Sequence, residues 1–196
     1  MIVLPDFKIA DSGEISQAFA ERGIATFRDA YNFVKLLPYG RNEDKSVLTK
    51  VFTDGRGTCS TKHALLKLLA DENGQGAIKL MMGIFRMNGV NTPLIAEVLL
   101  RSGLEYIPEA HNYLTFHGVR YDFTSAQSKL SDFESELLEE TDMLPEQIGD
   151  YKVRLHKNYL KQWLVSNKNI NLSLDELWAI REECIACLSK NRNTGN

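Results

Sequence analysis

The segment HNYLTFHGVRYDFT (His111 to Thr124) has the pattern of a β-hairpin. Apolar and polar residues alternate on both sides of His117-Gly118, which predicts two strands joined by a two-residue turn. With that turn, His111 and Asp122 fall on one face of the hairpin as diagonal neighbours. Such neighbours lie about 7–8 Å apart, within reach for an imidazole and a carboxylate. The alternation therefore predicts a hydrogen bond between His111 and Asp122, whereas a turn of odd length would put them on opposite faces.

The segment GRGTCSTKHALL (Gly55 to Leu66) predicts a tight turn followed by a buried helix. Thr58 is a suitable N-cap, so Cys59 would open the helix, where free N–H groups and the helix dipole stabilise a thiolate. A cysteine, a histidine and an orienting carboxylate form the nucleophile, base and orienter of acyl-transfer enzymes. The alternative for Cys59 alone is an inert buried thiol, since free cysteine is among the most buried residue types.

The remaining pattern predicts an α+β domain. Helical periodicity runs through the first third of the chain to Pro38, a buried strand covers Ala77 to Met87, and a short helix follows Thr92 and Pro93. A Ser173/Glu176 capping box opens an amphipathic helix near the end. The acidic stretch 132–150 is interpreted as a solvated face, and the alternative is that it gates the site or attracts a cationic substrate.

Composition excludes several classes of protein. The 196 residues are 43% hydrophobic and 25% charged, which suits a single globular domain. A net charge of -3 argues against nucleic-acid binding, and no apolar run approaches the roughly 20 residues of a membrane span. The N-terminal segment lacks the pattern of a signal peptide, and three cysteines do not make a disulfide framework. A cytoplasmic protein is therefore expected.

The other cysteines and histidines have simpler interpretations. Cys184 and Cys187 form a lone C-x-x-C late in an amphipathic helix, which favours core packing over redox chemistry or zinc. His63 is expected to be packed or solvated rather than a metal ligand, because no second pair completes a four-ligand site. His117 is assigned to the turn and His156 to the surface. No metal and no cofactor are expected.

Two motifs together resemble a known family. Gly57-Thr58-Cys59, followed by His111 and by Asp122-Phe123-Thr124, is similar to the transglutaminase-like branch of the papain-like fold. In that family a Gly-x-Cys motif opens a central helix. The histidine and an aspartate–x–threonine-like ending lie on adjacent antiparallel strands. The resemblance covers roughly residues 39–124.

The resemblance implies a papain-like core in which the cysteine-bearing helix packs on an antiparallel sheet. It implies a catalytic triad of Cys59, His111 and Asp122, in the chain order of the family. The domain would span 1–196, with 125–190 as an additional, mostly helical segment.

Two tyrosines are further candidates for oxyanion or substrate contacts. Tyr113 stands two residues after His111, where the family commonly has tryptophan, and Tyr39 is the upstream aromatic candidate. Animal transglutaminases use an upstream tryptophan, and no tryptophan precedes Cys59 here. The calcium-site insertions of those enzymes have no room, so tissue-type transglutaminase activity is not expected.

The predicted activity is acyl transfer or amide hydrolysis on a peptide, a protein or a small amide. Water as acceptor would give a hydrolase, and an amine would give a transferase. Two alternatives stay open: a binding or scaffold module that keeps the fold without turnover, and acyl transfer from a thioester such as acetyl-CoA. No glycine-rich phosphate loop supports a CoA partner. The sequence does not specify the oligomeric state.

Overall fold

The computed structural model describes residues 3–190 and has the predicted α+β class. Its sheet is antiparallel, with four strands in the order β3-β2-β1-β4. The strands are β1 (Ile78–Asn88), β2 (Tyr106–Phe116), β3 (Val119–Tyr121) and β4 (Leu137–Met143). The α-helices are α1 (Glu14–Ala20), α2 (Phe27–Leu36), α3 (Lys50–Thr53), α4 (Cys59–Glu72), α5 (Ala96–Arg101), α6 (Asp150–Ser166) and α7 (Leu174–Lys190).

The β2–β3 hairpin has the predicted two-residue turn. His117 and Gly118 both have positive φ, 48° and 80°, as a tight hairpin turn of this length requires. Phe116 pairs with Val119, which is the predicted register. Pairing ends at Tyr121, so β3 does not cover the edge of β2 farther along, where His111 lies.

Helix α4 occupies the centre of the molecule. At its start Thr58 Oγ1 accepts from the Thr61 N–H at 3.3 Å, and Thr61 Oγ1 accepts from the Thr58 N–H at 3.0 Å. Leu65 and Leu66 are fully buried in the core that also contains the face of β1 and β2 bearing Leu114. Burying one such side chain contributes about 1.5–3 kcal/mol, so packing against the sheet fixes where the start of α4 lies.

The segment 125–190 contributes α6 and α7 and also a strand that the sequence analysis did not predict. Strand β4 pairs with β1, with Leu80 opposite Met143, and forms one edge of the sheet. Its acidic residues are partly neutralised: Asp142 lies 3.6 Å from Lys79. Charges on a short edge strand hinder pairing with other chains, which explains how an acidic stretch can be both solvated and β-structured.

The segment after Thr92 is less regular than predicted. A 3-10 turn at Pro93–Ile95 leads into α5, and the Thr92 side chain makes no capping hydrogen bond. None of the helices within residues 3–190 is long and apolar enough to cross a membrane.

Candidate active site

Cys59 is the first residue of α4 and has 8% of its surface exposed. It lines one cavity together with His111 of β2, and the His111 side chain and the Asn112 backbone both lower the pKa of its thiol. The N–H groups of the first helical turn have no partner within the helix, so the sulfur lies beside a cluster of donors. This position suits a negatively charged sulfur.

His111 links Cys59 to Asp122. The His111 Nε2 atom lies 3.1 Å from Asp122 Oδ2, which leaves Nδ1 as the ring nitrogen for the thiol. The other oxygen of Asp122 accepts from the Thr124 N–H at 2.8 Å. Phe133 packs across the imidazole, with the two ring centroids 4.8 Å apart. The structure therefore has the predicted contact between His111 and Asp122, and it places Cys59 in the same cavity as both.

The charges of these groups follow from their surroundings. Burial opposes ionisation of Cys59, but the Lys152 ammonium and His111 outweigh it and lower the thiol pKa to about 6. Burial also opposes the charged form of His111, but Asp122 and Cys59 raise the imidazole pKa to about 10. Burial disfavours the Asp122 carboxylate too, yet the His111 charge and hydrogen bond hold its pKa well below the usual range. At neutral pH the site is a thiolate–imidazolium pair beside a carboxylate.

His63 is a buried neutral histidine whose two hydrogen bonds connect the start of α4 to the segment that follows β3. Its Nδ1 lies 2.8 Å from the Cys59 carbonyl oxygen, and its Nε2 lies 2.8 Å from the Phe123 amide. The amide can only donate, so Nε2 is the acceptor and Nδ1 carries the hydrogen. Burial lowers the pKa of His63 to about 4, against the attraction of Asp122. Of the two interpretations from sequence, packed is correct.

Lys152 was missed by the sequence analysis. It projects from α6, is 8% exposed, and donates to Ser60 Oγ at 2.8 Å and to Asn112 Oδ1 at 2.6 Å. The Ser60 hydroxyl also donates to Asn112 Oδ1 at 2.9 Å, and its oxygen lies 3.9 Å from Cys59 Sγ. Burial lowers the pKa of Lys152, while the Cys59 thiolate favours its charged form. No motif marks this lysine, because it lies 93 residues beyond Cys59 in the sequence and approaches it only in the folded protein.

The two candidate tyrosines have different surroundings. Two cavities meet at Cys59 and together form a cleft, and Tyr39 lines both of them. Tyr113 is fully buried behind His111, and its hydroxyl donates to Glu140 of β4. This placement does not fit the expected contact of Tyr113 with an oxyanion or a substrate, because no side-chain surface is left to touch one. Tyr113 supports the His111 ring instead.

The cleft has a wide side and a narrow side that meet at Cys59. The wide side is a cavity of about 510 Å³ that includes Lys152, Glu109 and Arg181. The narrow side is a cavity of about 260 Å³ that includes His111 and Asp122. Helix α7 forms a wall of both cavities; in particular, Ile185 lines both.

The other cysteines and His156 have structural surroundings of their own. Cys184 is buried, Cys187 is half-buried, both are free thiols, and burial raises the pKa of Cys184 to about 12. Within residues 3–190 no group of three or more His, Cys, Asp or Glu side chains is placed to hold a metal ion. The expectation that His156 lies on the surface is wrong: it is buried, and its Nε2 bonds the Pro108 carbonyl at 2.8 Å. A strand carbonyl buried under α6 needs such a donor.

Comparison of the chain with protein-family models, with curated proteins and with solved structures gives no match. The resemblance of residues 39–124 to the transglutaminase-like family therefore rests on the motif residues alone.

Proposed function

We propose that this protein is a cysteine-dependent acyltransferase or amide hydrolase with Cys59, His111 and Asp122 as its catalytic groups. One observation carries the proposal: a cysteine at a helix start lines one cavity with a histidine that is hydrogen-bonded to a buried carboxylate. The charge state adds to it, because a thiolate and an imidazolium supply both the nucleophile and the acid for acyl transfer. A low-pKa thiol is easily oxidised, so we propose that the protein works in a reducing compartment such as the cytoplasm.

In the first half-reaction the Cys59 thiolate attacks a substrate carbonyl carbon and forms an S–C bond. The carbonyl oxygen becomes an oxyanion, and the Cys59 backbone N–H at the helix start is placed to donate to it. Collapse of this intermediate breaks the bond to the leaving group, and His111 transfers its Nδ1 proton to the leaving nitrogen or oxygen. The product is a thioester at Cys59.

In the second half-reaction an acceptor attacks the thioester carbonyl. Neutral His111 removes a proton from the water or amine, and the Cys59 thiolate leaves as the new acyl bond is completed. Asp122 keeps Nε2 of the imidazole engaged in both steps, so Nδ1 remains directed at the sulfur. Tyr39, which lines both sides of the cleft, is placed to contact the substrate next to the reacting carbonyl.

We also propose that the fold is the transglutaminase-like form of the papain-like architecture. Three features support this: α4 begins with the cysteine, the histidine lies on the neighbouring antiparallel strand, and the aspartate follows the next strand, in the family's chain order. An inactive binding module would share all three features, so only a measurement of reactivity at Cys59 distinguishes an enzyme from a binding module.

The test is covalent trapping. The protein is incubated separately with p-nitrophenyl acetate and with acetyl-CoA, and intact-mass and peptide mass spectrometry locate any acetyl group. We expect acetylation of Cys59 by the activated ester, and its absence in Cys59→Ala. Transfer from acetyl-CoA would indicate the thioester-dependent alternative. If neither donor acetylates Cys59 faster than Cys187, the protein is a binding module.

A further inference from the structure

The wide side of the cleft contains a buried ammonium group without a carboxylate partner. The Lys152 ammonium uses two of its three hydrogens on Ser60 and Asn112, so one remains for a ligand. Among residues 3–190, no carboxylate oxygen lies within 4.0 Å of its Nζ atom. The Ser60 hydroxyl oxygen is the link to the reacting atom, because it contacts both the ammonium and, at 3.9 Å, Cys59 Sγ.

The other buried charges in this cavity are already paired. Arg181 holds both oxygens of Glu109, at 2.8 and 2.5 Å, and its third nitrogen contacts Glu182 at 2.7 Å. Arg41 contacts Glu182 as well, at 2.6 Å. Two negative charges favour the Lys152 ammonium, first the Cys59 thiolate and then the Glu109 carboxylate, and of these Glu109 is already bound by Arg181.

Acylation removes the first of these charges. When Cys59 forms a thioester its sulfur becomes neutral, and Lys152 keeps two neutral hydrogen-bond partners and the more distant Glu109 carboxylate, which Arg181 already binds. An unpaired charge in a buried site is unfavourable unless an anion replaces the lost one. An acyl group that brings its own negative charge restores the pairing at the moment the thiolate disappears.

The direction of the substrate follows from the position of His111. His111 must touch the leaving group to protonate it, and His111 lines the narrow side. The leaving group therefore occupies the narrow side, whose other walls are largely apolar, and the acyl group occupies the wide side. The apolar walls come from Phe85, Met87, Pro93, Leu94, Phe133 and Leu188.

We propose that the wide side of the cleft binds an acyl group carrying a carboxylate within a few bonds of the reacting carbonyl, with Lys152 as the counter-ion. This inference rests on the proposed function, since it assumes that Cys59 is the acylated atom. The substrate class is an amide or ester that joins a short acidic acyl group to an apolar leaving group.

The test compares alkylation of Cys59 by iodoacetate and by iodoacetamide, which differ in charge but little in size. In both reactions the sulfur forms a bond to carbon and iodide leaves. Both rates are proportional to the ionised fraction of Cys59, so their ratio does not depend on that fraction. N-acetylcysteine, measured in parallel, gives the ratio for a thiol without a binding site. We expect the ratio for Cys59 to exceed this reference by about tenfold at low salt.

Two variants assign the effect. Lys152→Gln keeps a hydrogen-bond donor but removes the charge, and it should return the ratio to within about threefold of the reference. Lys152→Arg should preserve the preference. Lys45→Met is the matched control, because Lys45 lines the same cavity at its exposed rim, and it should change the ratio little.

A wild-type ratio equal to the reference overturns the proposal, whether or not the variants fold. An equal fall of the ratio in Lys152→Gln and Lys45→Met also overturns the proposal, because the preference for iodoacetate would then come from the overall positive charge of the cavity and not from Lys152. Failure of the proposed function looks different: the labelling rate of Cys59 would then rise with a pH midpoint near about 8.5, as for an ordinary cysteine, whatever the ratio of the two reagents.

Discussion

His63 and His111 lie with their ring centroids 6.4 Å apart and approach different oxygens of Asp122, yet they carry different charges. Both ring nitrogens of His63 are hydrogen-bonded to backbone groups, and the Phe123 amide can donate only to an unprotonated nitrogen. His111 faces a carboxylate on one side and a thiol on the other, so each neighbour favours its proton. One carboxylate therefore lies beside two histidines, and of the two it is His111 that carries the additional proton.

The rate of Cys59 alkylation should report the thiolate directly. We expect iodoacetamide to label Cys59 with a pH midpoint near 6, because Lys152 and His111 lower its pKa to about 6 in spite of burial. His111→Ala should raise that midpoint but leave it below about 8.5, the ordinary cysteine value, since Lys152 and the helix start remain. Peptide mass spectrometry at a series of pH values measures both profiles.

Cys184 is an internal control for the same experiment. Burial raises its pKa to about 12, so it should stay unlabelled under conditions that label Cys59 completely. A Cys59 midpoint near about 8.5 in the wild type would mean that no activated nucleophile exists.

Asp122→Asn tests the third member of the site. The substitution keeps a hydrogen-bonding group but removes the charge, so His111 loses its counter-ion and its pKa falls. We expect the alkylation midpoint of Cys59 to rise by about one pH unit and acyl transfer to slow by about 10² to 10⁴. Asp142→Asn, on the exposed side of β4, is the control and should change neither. Equal activity of the two variants would remove Asp122 from the mechanism.

The two tyrosines should separate activity from stability. Tyr113→Phe loses the bond to Glu140, which Arg120 still holds at 2.6 Å, so we expect a loss of about 1 kcal/mol in the free energy of unfolding with kcat/KM unchanged. Tyr39→Ala removes a wall shared by both sides of the cleft and should lower kcat/KM by about tenfold. Denaturant unfolding and initial rates with p-nitrophenyl acetate measure the two effects. The reverse pattern would mean that Tyr113, not Tyr39, contacts the substrate.

His63 should control stability in acid. Its pKa is about 4 in the folded protein and about 6.5 in an unfolded chain, so between these values the unfolded state binds an extra proton. The free energy of unfolding should fall as the pH drops through this window, by about 1.4 kcal/mol per pH unit from this residue.

His63→Gln should be less stable near pH 7 but show a shallower decline toward pH 4, measured by urea unfolding at each pH. His117→Asn, at the exposed turn, should keep the wild-type slope. An unchanged slope in His63→Gln would assign the acid sensitivity to other groups.

Local pattern was enough to predict the parts of the site that depend on short stretches of chain. Alternation and a His117-Gly118 turn predicted the contact of His111 with Asp122, and Thr58 predicted that a helix begins at Cys59. The capping box of α7 is also present, with the Glu176 N–H bonded to Ser173 Oγ at 3.3 Å. Each of these depends on the geometry of a few consecutive residues or of one hairpin.

What could not be predicted depends on long-range packing. Lys152 and His156 lie in a basic segment, which from sequence alone suggests a solvated surface. In the structure α6 packs over β2, and both side chains bond to residues of that strand. Strand β4 has the sequence LLEETDM, in which carboxylates obscure the alternation, and only pairing with β1 defines it as a strand. The Ser60–Asn112–Lys152 cluster joins three elements and has no signature in any one of them.

The order of these elements along the chain has a consequence during synthesis. A nascent chain that has reached Thr124 already contains Cys59, His111 and Asp122, but neither α6 nor α7 has been made. Without Lys152 the thiol lacks one of the two cations that ionise it, and without α7 the cleft lacks a wall. The thiol therefore gains its second neighbouring cation only when α6 has folded, and the cleft gains its α7 wall later still, so the site is completed late in translation.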